Sequence, residues 1–192
     1  MRVIAGKYRS RPLHSLPGMD LRPTADKLRQ ALFNILTPGN PEALAGTVWF
    51  DLYAGTGAVG IEALSRGAAH VYFVESSADA VELIKKNLDS LGIKDGFRLL
   101  KQDTARALKA LEAERLHPDF VFLDPPYRME AEYKITLSAL AESSLLTSGS
   151  LVFAEHFKKF DPGDEFGDLR RYRTLAQGDT VVSLYRRWPP LT

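Results

Sequence analysis

The chain has 192 residues, of which 45% are hydrophobic, and its formal net charge at pH 7 is +1. This length and composition suit one globular domain with a sizeable core. Cysteine is absent, which excludes disulfides, thiolate nucleophiles and cysteine-based zinc sites. The sequence shows neither a membrane-spanning apolar run nor a signal-peptide pattern, so we expect a cytoplasmic protein without membrane contact, monomeric by default.

The basic residues are concentrated at the front of the chain. Residues 1–40 hold seven basic and two acidic side chains, a net charge of +5, whereas residues 41–155 carry a net charge of −6. We therefore predict a small basic extension over residues 1–40, made of a hairpin over 2–13 and a helix over 25–36. Such a piece is suited to docking on a polyanion, although a solvated arm without a partner is the alternative.

From residue 41 to the end, the pattern predicts a single domain. Short apolar runs alternate with helix-like segments, which is typical of a parallel sheet covered on both faces. A turn signal, Gln177-Gly178-Asp179, predicts a C-terminal antiparallel hairpin over 169–175 and 180–187. We expect an α/β, Rossmann-like fold with a mostly parallel seven-stranded sheet. The predicted strands before the hairpin are 47–51, 71–75, 97–100, 120–123 and 151–154, and the predicted helices between them are 59–66, 78–91, 105–116 and 130–146.

A glycine-rich loop follows the first of these strands. Gly55 and Gly57 allow a sharp turn and close approach of a ligand, while Gly60 lets the next helix pack near the sheet. Glu75, at the tip of the second strand, can accept hydrogen bonds from both hydroxyls of a ribose. This loop and Glu75 also match the dinucleotide fingerprint, so they alone do not separate NAD from S-adenosylmethionine.

Two further acids favour S-adenosylmethionine. Asp51, just before the glycines, suits an ammonium group better than a pyrophosphate, and Asp103 is placed to accept from an adenine amine. Either acid could instead be a helix cap or turn residue. The full predicted cofactor site comprises Asp51, Tyr53, Ala54, Gly55, Thr56, Gly57, Gly60, Glu75, Ser76, Gln102, Asp103 and Thr104.

The tetrad Asp124-Pro125-Pro126-Tyr127 closes the fourth strand and is the predicted catalytic motif. Asp124 and the Pro125 carbonyl can accept hydrogen bonds from an exocyclic amine, and neither proline offers a competing N–H. The Tyr127 ring can stack on a base. The alternative is a strand followed by a proline-rich turn with a capping aspartate.

Together these motifs resemble class I S-adenosylmethionine-dependent methyltransferases that act on exocyclic amines. The chain is similar in particular to the bacterial 16S ribosomal RNA guanine-N2 methyltransferases of the RsmD type. The resemblance runs from about Arg2 to Glu155. The segments that carry it at the front are Arg2-Val3-Ile4-Ala5-Gly6-Lys7-Tyr8-Arg9, Leu21-Arg22-Pro23-Thr24, Ala31-Leu32-Phe33-Asn34 and Gly60-Ile61-Glu62-Ala63-Leu64-Ser65-Arg66-Gly67-Ala68.

The resemblance implies methyl transfer from S-adenosylmethionine, giving S-adenosylhomocysteine, to N2 of a guanine in 16S rRNA. The substrate it implies is the small ribosomal subunit. The alternatives are a DNA adenine-N6 methyltransferase, an NAD-dependent oxidoreductase and a non-catalytic RNA-binding assembly factor. No histidine has metal-ligand spacing, so we expect no metal. The predicted RNA-binding residues are Arg2, Lys7, Tyr8, Arg9, Arg11, Arg22 and Thr24.

Overall fold

The computed structural model describes residues 1–15, 23–126 and 128–188, without the side chains of residues 23–25. Helices and strands alternate through most of this range. The helices are α1 Pro23–Leu36, α2 Ala58–Ser65, α3 Ala78–Leu91, α4 Thr104–Ala113 and α5 Glu130–Glu142. The strands are β1 Val48–Leu52, β2 His70–Glu75, β3 Phe97–Lys101, β4 Phe120–Leu123, β5 Leu151–Phe157, β6 Glu165–Phe166, β7 Leu169–Gln177 and β8 Thr180–Arg187.

The strands form one sheet in the order β3-β2-β1-β4-β5-β8-β7-β6. Strands β1 to β5 are parallel, and β8, β7 and β6 add to β5 in antiparallel pairs. The predicted fold class is confirmed. The predicted strand number is wrong, because the described part of the chain has eight strands. The two-residue β6 is too short to show a recognisable period of its own.

The chain reverses its direction of winding beside β1, which lies between β2 and β4. In open α/β sheets, ligands bind in the crevice outside the carboxyl ends of the strands at such a switch point. The sheet separates two apolar cores. Helices α1, α2 and α3 pack on one face, and α4 and α5 pack on the other.

The front of the chain packs onto the first of these faces. Val3 and Leu13 are buried in the same core as α1, where Phe33 stacks on Trp49 of β1 with ring centroids 5.2 Å apart. The expected hairpin appears as one antiparallel bridge, between Arg2 and Pro12, with backbone hydrogen bonds from Val3 N–H to the Arg11 carbonyl and from Leu13 N–H to the Met1 carbonyl, each of 3.0 Å. Beyond this bridge, the backbone N–H groups of Ile4, Ala5 and Tyr8 donate to side chains of α2. A separate domain ending at residue 40 stays a prediction.

Two helices end earlier than their apolar periodicity predicts. Helix α4 ends at Ala113, and Arg115 just beyond it has a positive φ of 56°. Helix α5 ends at Glu142, where Ser143 adopts an extended conformation. Leu145 and Leu146 are still buried, so their apolar character reflects core packing after the helix has ended.

Candidate active site

Acidic side chains from neighbouring strands meet at the carboxyl edge of the sheet. Asp51 is the penultimate residue of β1, Glu75 is the last residue of β2, and Asp124 directly follows β4. Asp103 comes two residues after β3. We call these four residues the acidic edge. The sequence placed each of them at a strand end, and the strand order brings β2, β1 and β4 side by side.

The loop after β1 is held in an unusual conformation beside this edge. Gly55 and Gly57 have positive φ values of 56° and 75°, as the predicted sharp turn requires. Tyr53 also has a positive φ, 59°, which is strained for an aromatic residue. Its hydroxyl group is fixed by hydrogen bonds with Glu132 Oε2 (2.9 Å) and Thr136 Oγ1 (2.8 Å) of α5. The fold thus maintains a strained loop next to the acids.

The Glu75 carboxylate holds the loop after β1 and the loop after β2. One carboxylate oxygen accepts a hydrogen bond from the backbone N–H of Gly55 at 2.9 Å, and the other accepts from Ser77 N–H at 2.8 Å. Each oxygen retains a lone pair, because a carboxylate has about four acceptor sites. Glu75 can therefore hold the loop and still accept hydrogen bonds from the hydroxyl groups of a ligand.

Asp51 is the most perturbed acid of the edge. It is 2% exposed, and its Oδ2 accepts the N–H of Gly60 at 2.9 Å. Burial raises the pKa of Asp51 to about 8; the Gly60 hydrogen bond opposes this rise, while the negative charges of Asp124 and Glu75 add to it. Strongly shifted acids at a ligand edge are typical of functional sites.

Gly60 brings α2 close to the sheet. A Cβ atom at this position would lie 2.3 Å from Cε1 of Phe73 and 2.7 Å from Cγ1 of Val71. No side chain fits there without movement of β2. The close contact carries the amino end of α2 to the Asp51 carboxylate.

The remaining predicted cofactor residues lie in the loops around the edge. Asp103 caps α4, with Oδ1 accepting Arg106 N–H at 2.9 Å, so the helix-cap interpretation is correct as far as local structure goes. Its side chain is half exposed. Of the others, Ala54, Thr56 and Thr104 are buried, Gln102 is half-buried and Ser76 is exposed.

The predicted catalytic motif follows β4 directly. Asp124 is half-buried, Pro125 is buried and Pro126 is exposed. The Pro126 carbonyl accepts the N–H of Met129 at 2.7 Å, which closes a turn before α5. The predicted stacking residue, Tyr127, lies outside the described residues. Asp124 is close enough to Asp51 for its charge to raise the pKa of that acid.

Four of the five predicted RNA-binding cations lie on the N-terminal arm, which we define as residues 1–15. Arg2, Lys7, Arg9 and Arg11 are exposed, and within the described residues none forms an ion pair with a carboxylate. Tyr8 is half-buried against the core, with Lys7 Nζ 5.3 Å from its ring centroid. The remaining candidates are Arg22, which lies outside the described residues, and Thr24, whose side chain is not among those described.

The residues that hold this arm were not predicted from the sequence. Glu62 of α2 is fully buried and accepts the backbone N–H groups of Ile4 (2.7 Å) and Ala5 (3.0 Å). Ser65, one turn later, accepts Tyr8 N–H at 3.0 Å and donates to the Ala5 carbonyl at 2.6 Å. The available signal was a glutamate at the fifth position and a serine at the eighth and last position of an otherwise apolar helix.

Asn87 of α3 joins the arm to the cofactor loop. Its Oδ1 accepts His14 N–H at 2.7 Å, and its Nδ2 donates to the carbonyls of His14 (3.2 Å) and Thr56 (2.9 Å). This side chain is fully buried. An asparagine among the apolar positions of α3 was the signal that could have revealed it.

Within residues 1–15, 23–126 and 128–188, no group of three or more histidine, aspartate or glutamate side chains is arranged to hold a metal ion. Over the same ranges, every helix falls short of the length and apolar character needed to cross a bilayer.

The fold is that of a Rossmann-like methyltransferase. Residues 1–186 match the model of the family described as Conserved hypothetical protein 95. The chain belongs to this family, which is that of the RsmD-type rRNA methyltransferases, and the predicted resemblance is confirmed.

Individual relatives agree with this assignment. The chain is 35% identical over 187 residues to the Bacillus subtilis protein YlbH, named as a candidate rRNA methyltransferase, covering 97% of this chain and 99% of YlbH. It is 37% identical over 157 residues to ribosomal RNA small subunit methyltransferase D of Haemophilus influenzae, covering 81% and 78% of the two chains. A solved Escherichia coli structure, the candidate methyltransferase yhhF, superposes with a TM-score of 0.78 at 26% identity and 97% coverage of both chains.

Proposed function

We propose that this rRNA methyltransferase transfers a methyl group from S-adenosylmethionine to the exocyclic N2 amine of a guanine in 16S rRNA of the small ribosomal subunit. The observation that carries the proposal is the position of Asp124-Pro125-Pro126 beside Asp51 and Glu75. All of these residues lie at the same edge of the sheet, at the switch point, which supports binding of an amine and of a nucleoside ligand side by side.

The acidic side chains at this edge fit a cationic cofactor. Asp51, Asp124 and Glu75 are near enough for their charges to raise the pKa of Asp51 together with its burial. A ligand carrying positive charge relieves this repulsion, whereas a pyrophosphate adds to it. S-adenosylmethionine carries a sulfonium and an ammonium group, so the acids favour it over NAD.

Each acid has a proposed part in holding the cofactor. Asp51 and the glycine loop over residues 53–57 hold the methionine end, and Glu75 accepts from the ribose hydroxyl groups. Asp103 accepts from the adenine amine. The second oxygen of Asp103 is the available one, because Oδ1 already caps α4. When bound, S-adenosylmethionine supplies an electrophilic methyl group.

The protein's contribution to the reaction is the orientation of the amine. Asp124 and the Pro125 carbonyl accept hydrogen bonds from the two N2 hydrogens, which directs the nitrogen lone pair at the methyl group. The guanine amine is a weak nucleophile because its lone pair is delocalised into the ring. Acceptors on its hydrogens stabilise the positive charge that develops on nitrogen, and Asp124 takes the proton that leaves. Tyr127 is the proposed stacking residue.

The N-terminal arm is the proposed RNA-docking surface. Its four exposed cations have no carboxylate partner in the described structure, whereas eight other basic side chains do. Phosphate contacts of this kind add affinity without sequence information. The target guanine must be presented unpaired or flipped, since N2 is not reachable inside a stacked duplex.

Label transfer from S-adenosylmethionine tests the proposal. The substrates are small ribosomal subunits lacking the modification, naked 16S rRNA and duplex DNA, with the product nucleoside identified by mass spectrometry. We expect N2-methylguanosine from the subunits, and the naked RNA shows whether ribosomal proteins are required. N6-methyladenine from DNA would overturn the proposal in favour of the DNA methyltransferase. Cofactor binding without transfer to any RNA would support a non-catalytic assembly factor.

A further inference from the structure

The C-terminal hairpin exposes a guanidinium group between two aromatic rings. The Arg186 guanidinium carbon lies 5.0 Å from the ring centroid of Tyr172 and 5.5 Å from that of Trp188. Both rings face solvent, since Tyr172 is 40% exposed and Trp188 is 51% exposed. We call Tyr172, Arg186 and Trp188 the hairpin cluster.

A β-bulge exposes the first of these rings. Arg171 of β7 pairs with Tyr185 of β8, and Arg173 pairs with Leu184, so Tyr172 has no partner across the ladder. A bulge re-aims the side chain of the extra residue. Here the ring lies against Arg186 instead of entering either core.

The positive charge at the cluster is not neutralised. Three other arginines of the hairpin are paired with carboxylates: Arg170 with Glu165, Arg171 with Asp161 and Asp164, and Arg187 with Asp168. Arg173 and Arg186 are exposed, and in the described structure no carboxylate lies within ion-pair distance of either. The aromatic rings are thus combined with two available cations.

The cluster shares a sheet face with the N-terminal arm. Val182 and Leu184 of β8 belong to the core that α1 covers, and strand alternation places Arg186 on the same face. Helix α1 contacts β7 and β8 on one side, and its Arg29 donates a hydrogen bond to the Arg2 carbonyl of the arm.

A positively charged groove separates the arm from α1. It has a volume of about 510 Å³, and its lining includes Arg2, Arg9 and Lys27 together with Asp26. Asp26 is already paired with Arg29. The arm, the groove and the cluster therefore present cations on one face of the molecule.

We propose that the hairpin cluster is a second RNA-contact surface, which stacks unpaired bases of the substrate on Tyr172 and Trp188 while Arg173 and Arg186 contact phosphates. The partner's identity rests on the proposed function. Exposed rings beside arginine are the combination that binds single-stranded nucleic acid without sequence preference. A second copy is disfavoured, because a two-fold contact would place unpaired arginines of the two copies together.

Tryptophan fluorescence tests the contact directly. The chain has two tryptophans, and Trp49 is fully buried, so quenching by bound RNA reports Trp188. The probe is a single-stranded fragment of 16S rRNA titrated into the full chain. We expect saturable quenching in wild type and none in Trp188→Phe, which keeps an aromatic ring and should still bind.

Matched variants measure the contribution of the cluster to affinity. We expect Tyr172→Ala with Trp188→Ala to weaken RNA binding at least about fivefold, and Arg186→Glu to lower the salt dependence. Controls are Ile135→Ala and Lys109→Glu, exposed residues of α5 and α4 on the opposite face. Thermal unfolding confirms that each variant folds.

Methyl transfer to small subunits, run in parallel, separates this proposal from the proposed function. One outcome is that wild type methylates RNA, the Trp188 fluorescence is not quenched and the cluster variants bind RNA like the controls. This result overturns the second contact and leaves the methyltransferase function intact. If no RNA is methylated but RNA quenches the Trp188 fluorescence, the second RNA contact stands and the proposed methyltransferase function is contradicted. Cluster variants that change the sedimentation coefficient of the free protein, without quenching by RNA, identify a contact between copies and overturn the proposal.

Discussion

The carboxylate of Glu62 accepts a hydrogen bond from the backbone N–H of Ile4 at 2.7 Å, although 58 residues separate the two in sequence. The same carboxylate accepts Ala5 N–H and forms an ion pair with Arg66. One fully buried side chain thus fixes the start of the N-terminal arm to α2, the helix that follows the glycine-rich loop. The position of the arm relative to the acidic edge is built into the folded core.

We expect Glu62→Gln to lower the free energy of unfolding by about 2–4 kcal/mol, measured by urea denaturation. The amide keeps the shape but has one acceptor oxygen, so its NH₂ group faces donors and Arg66 loses its charged partner. Glu82→Gln is the control, because its ion pair with Lys85 is exposed, and it should change the free energy by less than about 0.5 kcal/mol. Equal effects of the two substitutions would refute the role given to Glu62.

Gly60→Ala should destabilise the protein, because the new Cβ would lie 2.3 Å from the Phe73 ring. Overpacking of this kind costs about 1–3 kcal/mol, which outweighs the gain in helix propensity. Gly149→Ala is the matched control, since its nearest neighbour, Thr147 Oγ1, would be 3.8 Å away. Thermal unfolding midpoints compare the two variants, and an unchanged midpoint for Gly60→Ala would contradict the close packing.

Stability should depend on pH through Asp51. Its folded-state pKa of about 8 is above the ordinary aspartate value of 3.8, so the folded protein holds a proton that the unfolded chain releases. This contribution is fully present below about pH 4 and is lost as the pH rises through about 8. The free energy of unfolding of wild type should therefore fall relative to that of Asp51→Asn over this range.

The comparison uses urea denaturation at several pH values without cofactor, with the exposed Asp89→Asn as control. Over the part of this range above about pH 5, the free energy of unfolding of the control should run parallel to that of wild type. Parallel curves for wild type and Asp51→Asn throughout would mean that Asp51 is not protonated in the folded protein.

Much of the fold follows from the sequence because buried parallel strands and amphipathic helices leave strong periodic signals. The boundaries 78–91 and 120–123 were predicted at the observed residues. The acids at the ends of β1, β2 and β4 could be assigned to one edge, because the carboxyl ends of parallel strands meet at the same edge of a sheet. The functions of these acids stay predictions.

Other features depend on contacts between distant residues. Neither the Glu62 contact with Ile4 nor that of Asn87 with Thr56 has a local pattern, since each partner looks ordinary in its own segment. The front hairpin was expected from weak alternation. It is short, because the N–H groups of Ile4, Ala5 and Tyr8 bond to Glu62 and Ser65, and a competing side-chain acceptor cannot be recognised from alternation alone.

Charge reversal on the arm tests docking. We expect Arg9→Glu with Arg11→Glu to weaken 16S rRNA binding and to reduce the slope of log affinity against log salt by about 1 for each lost phosphate contact. Arg11 also donates a hydrogen bond to the Ser90 carbonyl, so thermal unfolding is measured in parallel. Lys109→Glu on α4 controls for net charge. An unchanged slope in a folded variant would rule out docking through these residues.

The most direct test of the account is to measure turnover and cofactor affinity together in Asp124→Ala. Asp124 is assigned to hydrogen bonds with the amine, and its proposed effect on the cofactor is limited to its charge near Asp51. Methyl transfer to small ribosomal subunits should therefore fall at least about 100-fold. The dissociation constant for S-adenosylmethionine should change less than about threefold, as in the exposed control Asp89→Ala. Equal losses of turnover and affinity, or full turnover in Asp124→Ala, would contradict the assignment of Asp124 to catalysis.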